Sequence, residues 1–277
     1  MDELAARMIQ LYKGGLNSKQ VAKECGVGVK KTQRILRENG VVFRHSQRKY
    51  SLNEHVFDSI DNEHAAYWYG FIYADGCVYK THLQVALGIK DRDHVDRLRA
   101  FLESTSPIRE EEYDVKRARL TVASAHLTDR LRTLGIVPRR TKSANIIINN
   151  VPSEIFHHWL RGFFDGDGCA DKRKCIWFAS RSIPLLEHIR KTLANEAGRN
   201  PDISFVRHTK RNLYYLRYKG YYNAHAVADW LYKDATLWLP RKRHRIDSWK
   251  KPMPRAERAK LMWKKKREKE KISPSPL

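Results

Sequence analysis

Two aspartates stand in near-identical surroundings. Asp75 closes the run Ala65-Ala66-Tyr67-Trp68-Tyr69-Gly70-Phe71-Ile72-Tyr73-Ala74 and is followed by Gly76. Ninety-two residues later, Asp167 closes Phe156-His157-His158-Trp159-Leu160-Arg161-Gly162-Phe163-Phe164-Asp165-Gly166 and is followed by Gly168. Superposed, Gly70 falls on Gly162, Ala74 on Gly166, Asp75 on Asp167, and Cys77 on Cys169. Each acid ends a helical pattern, where the helix dipole is already negative. Nothing beside either acid in the sequence neutralises it. Two such carboxylates brought together are poor for stability and well suited to holding a divalent cation.

The elements that must position these acids follow from periodicity. Gly70 and Ala74 lie four apart, as do Gly162 and Gly166, so each helix has a flank of small residues. Two such flanks allow close approach of helix backbones, with Gly70 and Gly162 at the contact. Trp68, Phe71 and Ile72, and Trp159, Phe163 and Phe164, then bury into two half-domains. After Asp75 the pattern predicts a hairpin over 78–89, a helix over 92–102, a second hairpin over 108–124 and a helix over 127–134. After Asp167 the order recurs, with strands within 171–180 and 203–218 and helices over 183–197 and 222–232. The predicted fold class is α+β, two pseudo-symmetric αββαββα repeats with antiparallel sheets. Along the strands, Arg117, Arg119 and Thr121 oppose Ala118, Leu120 and Val122, and Tyr215, Arg217 and Lys219 oppose Tyr214, Leu216 and Tyr218.

The paired segments resemble the motifs of the LAGLIDADG homing endonucleases, in the single-chain form that carries both copies. The resemblance covers roughly residues 62–246. The first copy departs from the family pattern in having Tyr73 where the second has Asp165. That position is not the metal-binding one. The resemblance implies Asp75 and Asp167 as catalytic metal ligands, helped by the carbonyls of Ala74 and Gly166. It also implies a basic residue near the end of each repeat, here Lys142 and Lys242, each in a turn after its repeat's last helix. Mg2+ is the implied cofactor, with Mn2+ substituting and Ca2+ binding without supporting cleavage. The implied partner is duplex DNA carrying a long, weakly symmetric target, bound by a monomer through sheets laid in the major groove.

The charge agrees with a polyanionic partner. Lys and Arg number 54 against 31 Asp and Glu, a formal charge of +23. The cations interleave with aromatic and β-branched residues on strands, unlike the segregated face of a membrane-surface helix. Arg117, Arg119, Arg207, Arg211, Arg217 and Lys219 are the expected DNA contacts on the sheets. The first forty residues predict a separate all-α unit. A helix runs over 3–12, Gly14-Gly15 stops it, Ser18 caps a second helix through Glu24, and a third spans about 28–38. It resembles the helix-turn-helix of resolvases and transposases, with Lys30, Lys31, Gln33, Arg34 and Arg37 on the last helix facing DNA. The expected organisation is a helix-turn-helix over 1–45, a linker over 46–61, repeats over 62–148 and 149–248, and a basic tail over 249–277.

Several classes are excluded by what the sequence lacks. No apolar run spans a membrane, and the acidic start Met1-Asp2-Glu3 is no signal peptide, so a soluble intracellular protein is expected. The 12 His and four Cys show no HExxH or paired-Cys spacing, which argues against zinc. No Walker-type GxxxxGK[ST] occurs, so no nucleotide cofactor is implied. A start at Met and an end at Pro-Leu do not suit an intein, so a free-standing enzyme is expected. Two alternatives share the scaffold: a non-catalytic transcription regulator, and an intron RNA maturase. Retention of both acids speaks against the first; a preference for folded intron RNA over duplex DNA would mark the second.

Overall fold

A computed structural model describes residues 3–41, 49–112, 114–136, 148, 151–198, 214–249 and 254–272. It divides into two units, Met1–Lys49 and Tyr50–Leu277. The first is three helices, α1 (Glu3–Lys13), α2 (Ser18–Glu24) and α3 (Val29–Glu38), closed around Met8, Tyr12, Val21 and Leu36. The cap of α2 is Asn17 rather than Ser18. Its side chain accepts from the N–H groups of Lys19 and Gln20, and Gln20 returns the bond to the Asn17 N–H, a full capping box.

The second unit is built on α4 (Glu63–Asp75) and α7 (Phe156–Asp167). The side chain of Asn62 starts α4 by accepting from the Ala65 N–H. Both helices are buried almost all round, which explains their apolar composition. They run parallel and meet at glycine. A methyl group on Gly70 would overlap the carbonyl oxygen of Trp159, and one on Gly162 would overlap that of Tyr67. The reciprocity is complete, since Trp159 and Phe163 face Gly70 as Tyr67 and Phe71 face Gly162. Each helix passes straight into a strand at Gly76 or Gly168. A side chain at either position would strike the last helical turn, at Ile72 or Phe164.

Each motif helix leads into an antiparallel sheet. In the first repeat, β1 (Gly76–Tyr79), β2 (His82–Gly88), β3 (Arg109–Glu112) and β4 (Lys116–Ala123) lie in the order β1-β2-β4-β3. Helices α5 (Arg92–Phe101) and α6 (Ala125–Thr133) complete it. In the second, β5 (Gly168–Ala170), β6 (Ile176–Ser180) and β7 (Tyr214–Tyr218) lie in that order, with α8 (Ile183–Glu196) and α9 (Tyr221–Leu231). Among the described residues, this is the α+β architecture of two related repeats after an all-α unit. The 203–213 part of the last expected hairpin lies outside the described residues. No helix among them is long and apolar enough to cross a membrane.

Two expectations need correcting. Residues 50–61, read as linker, are folded against the first repeat. Phe57 and Ile60 are buried, and Arg130 donates to the carbonyls of Phe57 and Asp58 at 2.8 and 3.1 Å. The segment is polar because its backbone and acids bond α6, while one aromatic anchors it. Trp249, placed in the tail, is buried and donates its indole N–H to the Asp171 carbonyl at 3.0 Å. Beyond it, 255–272 form a helix, α11 (Arg255–Ile272), preceded by α10 (Pro240–Asp247). Good helix formers and Glu–Lys alternation explain α11 without a buried face.

Candidate active site at the paired motif helices

Parallel packing sets the C-termini of α4 and α7 side by side. Asp75 and Asp167 are the exposed last residues of these buried helices. The Asp75 Oδ2 lies 3.4 Å from the point where a Cβ on Gly166 would stand, and the Ala74 methyl occupies the rest of that space. Burial pushes the Tyr73 hydroxyl up to about 12, and the charge of Asp167 adds to the rise. Each acid therefore ends its own helix and lies beside the other. Their accessible oxygen atoms form a donor set of the type hard divalent cations prefer.

The basic residue expected at the end of the second repeat stands near these helix ends. Lys242, on α10, is buried, and its Nζ donates to the carbonyls of Phe164 at 2.5 Å, Gly168 at 2.7 Å and Gly166 at 3.4 Å. It caps the negative end of α7. Burial lowers its pKa from 10.5 to about 8, opposed by the carboxylates of Asp165 and Asp75. Below about pH 8 folded and unfolded chains both hold this proton, and between about 8 and 10.5 only the unfolded chain does. Stability of the wild type relative to Lys242→Met is therefore expected to be flat below pH 8 and to rise above it, by up to about 3 kcal/mol. Urea denaturation at stepped pH checks this; a difference that stays flat to pH 10 would refute the assignment.

Two acids that the sequence reading left without a role hold the segment that delivers Lys242. Asp165 is fully buried, and its Oδ2 accepts from the Leu239 N–H at 2.7 Å and the Tyr67 hydroxyl at 2.8 Å. Burial raises its pKa, with Lys242 and these bonds opposing the rise. Glu63, at the start of α4, accepts from the N–H and hydroxyl of Thr236, both at 2.7 Å, and from the Leu237 N–H at 3.1 Å. It also takes Arg161 Nη2 at 2.5 Å. Burial pushes Glu63 up, but these bonds and the Arg161 charge outweigh it and hold it below the usual range. Arg161 has no exposed surface and donates to the carbonyls of Leu231 and Leu237. Its counterpart Tyr69 donates to the Leu134 carbonyl. The residue before each motif glycine thus ties the last helix of its own repeat.

The outward sheet faces differ. On the second, Trp177 pairs with Arg217 across β6 and β7, and Trp177 meets the Tyr215 ring edge-on at 5.3 Å. Arg217 and Lys219 line a recess of about 520 Å3 with Trp177, Cys175, Arg173 and Asp171. On the first face Arg117 is exposed, but Arg119 is paired with Glu111 at 2.7 Å. On β3, Glu111 stands opposite Arg117 and Arg109 opposite Arg119 on this face, whereas Glu110 and Glu112, opposite Ala118 and Lys116, lie on the other side of the sheet. The uniformly cationic face expected for this repeat is therefore interrupted by one carboxylate, Glu111, which Arg119 neutralises. In the first unit Lys30, Lys31, Arg34 and Arg37 are exposed on α3, whereas Gln33 is half-buried and donates to the Ser18 hydroxyl at 3.3 Å. Lys142, Arg207 and Arg211 lie outside the described residues.

Residues 157–229 match a family model described as a LAGLIDADG-like domain. The match falls within the second repeat, and the resemblance read from the motif pair holds. The first repeat is tied to it by the reciprocal contacts of Gly70 and Gly162. Among solved structures, the chain is similar to the homing endonuclease I-DmoI in complex with DNA and Mn, at 18% identity and TM-score 0.43, over 62% of this chain and 97% of that one. It is also similar to the meganuclease I-SmaMI bound to uncleavable DNA, at 13% identity and TM-score 0.45, over 66% of this chain and 88% of that one. No curated protein sequence matches the chain significantly.

Proposed function

We propose that this chain is a site-specific DNA endonuclease that hydrolyses both strands of a duplex, using a divalent cation held by Asp75 and Asp167. The observation that carries this reading is the convergence of two exposed carboxylates at the parallel C-termini of α4 and α7, each leading directly into a sheet. The donor set fits Mg2+, with Mn2+ as substitute and Ca2+ as a binding but non-supporting ion. The cation, when bound, would activate water and neutralise charge on the phosphate and the leaving 3′ oxygen. The Gly166 carbonyl also accepts from the Lys242 ammonium, which makes it a weaker ligand than the charged carboxylates. Lys242 holds positive charge at the end of α7. With a pKa near 8, it is suited to hold or release a proton at Nζ close to working pH. For the first repeat the same role is assigned to Lys142 from the sequence resemblance alone.

DNA is bound along the sheets, with Arg117, Arg217 and Lys219 as the accessible cations and α3 of the first unit adding a major-groove contact. The Arg217→Ala/Lys219→Ala pair is expected to reduce the slope of log K against log salt by about 2, if each contacts one phosphate. Filter binding across a salt series, in Ca2+, checks this, and an unchanged slope removes both residues from the interface.

The reading is tested by cleavage of a randomised duplex library with Mg2+ or Ca2+. Discrete double-strand cuts with short 3′ overhangs, in Mg2+ only, are expected. Tight salt-sensitive duplex binding without cuts would favour a regulator, and preference for folded intron RNA would favour a maturase.

A further inference from the structure

The turn over 53–58 and the first turn of α6 bring together three ligand-bearing side chains outside the motif site. His55 Nδ1 lies 2.7 Å from one carboxylate oxygen of Asp58, and His126 Nε2 lies 2.7 Å from the other. The two imidazoles are in ring contact, with centroids 4.5 Å apart. One ligand atom from each residue falls within 4.8 Å of the other two, and all three side chains are exposed.

We propose that His55, Asp58 and His126 form a second metal site, for a nitrogen-preferring divalent ion such as Zn2+, Ni2+ or Co2+, separate from the motif aspartates. Two imidazole nitrogens and one carboxylate are a donor set for these ions rather than for Mg2+ or Ca2+, which take oxygen. Solvent exposure leaves the remaining coordination positions to water. The ligands are also held in place. Phe57, between His55 and Asp58, is buried in the core. Its carbonyl and that of Asp58 accept from Arg130, on the same helix as His126. The His55 N–H bonds Asn53 Oδ1 at 3.1 Å, and the Asp58 N–H bonds the His55 carbonyl at 2.9 Å. Glu54 accepts from the Ser124 hydroxyl.

The site lies away from the motif acids. The Ser124 N–H donates to the Thr81 carbonyl, which places the start of α6 at the far end of β1, about 13 Å of strand from Asp75. A bound ion would tie the 53–58 turn to α6 and raise the stability of the first repeat. His55 and His126 are too far apart in sequence for any spacing motif to reveal them.

The test uses the full chain carrying Asp75→Asn and Asp167→Asn, so that the motif site does not contribute. Calorimetric titration with Zn2+ and absorption titration with Co2+ are expected to show one equivalent bound, undisturbed by excess Mg2+, and Zn2+ should raise the thermal midpoint. Adding His55→Gln and His126→Gln should abolish both effects while leaving the metal-free midpoint unchanged; Asp58→Asn, tested separately, should also lose the ion. Absence of binding, or binding and a midpoint rise that survive in the glutamine variant, would overturn the proposal and leave the cluster a simple His–Asp–His ion pair.

Discussion

Gly162→Ala is expected to lower stability by at least about 3 kcal/mol and to reduce cleavage about a hundredfold in the molecules that still fold. The added methyl would overlap the Tyr67 carbonyl oxygen and stand 2.9 Å from the Phe71 nitrogen. Both obstacles are backbone inside a helix, so neither can rotate away. The only relief is separation of α4 from α7, which opens the centre of the core and moves Asp75 relative to Asp167. Gly70→Ala meets the same obstacle from the other side, at the Trp159 carbonyl and the Phe163 nitrogen. Gly88→Ala is the control, because a Cβ there has nothing within 4 Å and its effect should stay within about 0.5 kcal/mol. Urea denaturation of the three variants checks the ranking. Equal stability of Gly88→Ala and Gly162→Ala would mean that the helices do not meet at glycine.

Neutralising a motif acid should have the largest effect on activity. Asp75→Asn and Asp167→Asn are each expected to abolish double-strand cleavage, by more than about a thousandfold, since charge stabilisation by a bound cation is worth several kcal/mol in the transition state. Both acids are exposed at helix ends. Removing a negative charge from a helix C-terminus is stabilising or neutral. The isosteric variants should therefore fold close to the wild type, within about 1 kcal/mol, and bind duplex DNA in Ca2+ with undiminished affinity. Loss of activity with intact folding and binding separates a chemical role from a structural one. Loss of binding as well would place these residues in the DNA interface instead.

What the sequence discloses here is what local chemistry and periodicity encode. The motif pair, the glycine contacts, the first-repeat hairpins, and the alternation of Arg117 with Ala118 and Arg217 with Leu216 follow from spacing along one segment. The capping residue was displaced by one, from Ser18 to Asn17, because Asn and Ser both cap well and the deciding bond comes from Gln20. The less legible features are tertiary. Glu63 reads as an ordinary acidic residue in a first helical turn, yet its partners Thr236 and Leu237 are 173 and 174 residues away. Asp165 reads as a motif variant of Tyr73, and only the fold shows that it bonds Leu239 and sets the turn that carries Lys242. A buried carboxylate needs its donors supplied by the surrounding chain, and no pattern within the motif says which chain that is. The one available signal was charge itself: Arg161 and Asp165 within an otherwise apolar helix are costly unless paired. The 50–61 segment hides its fold for the reverse reason, since Phe57 and Ile60 are too few apolar residues to show a period.

The central claim is that the two motif acids act together as one metal-dependent cleavage site. It is tested most directly by incubating the wild type and Asp75→Asn/Asp167→Asn, in Mg2+, with a duplex recovered from the randomised library, after showing equal binding in Ca2+. Complete linearisation by the wild type and no product from the variant are expected. Cleavage by the variant at the wild-type rate would contradict it.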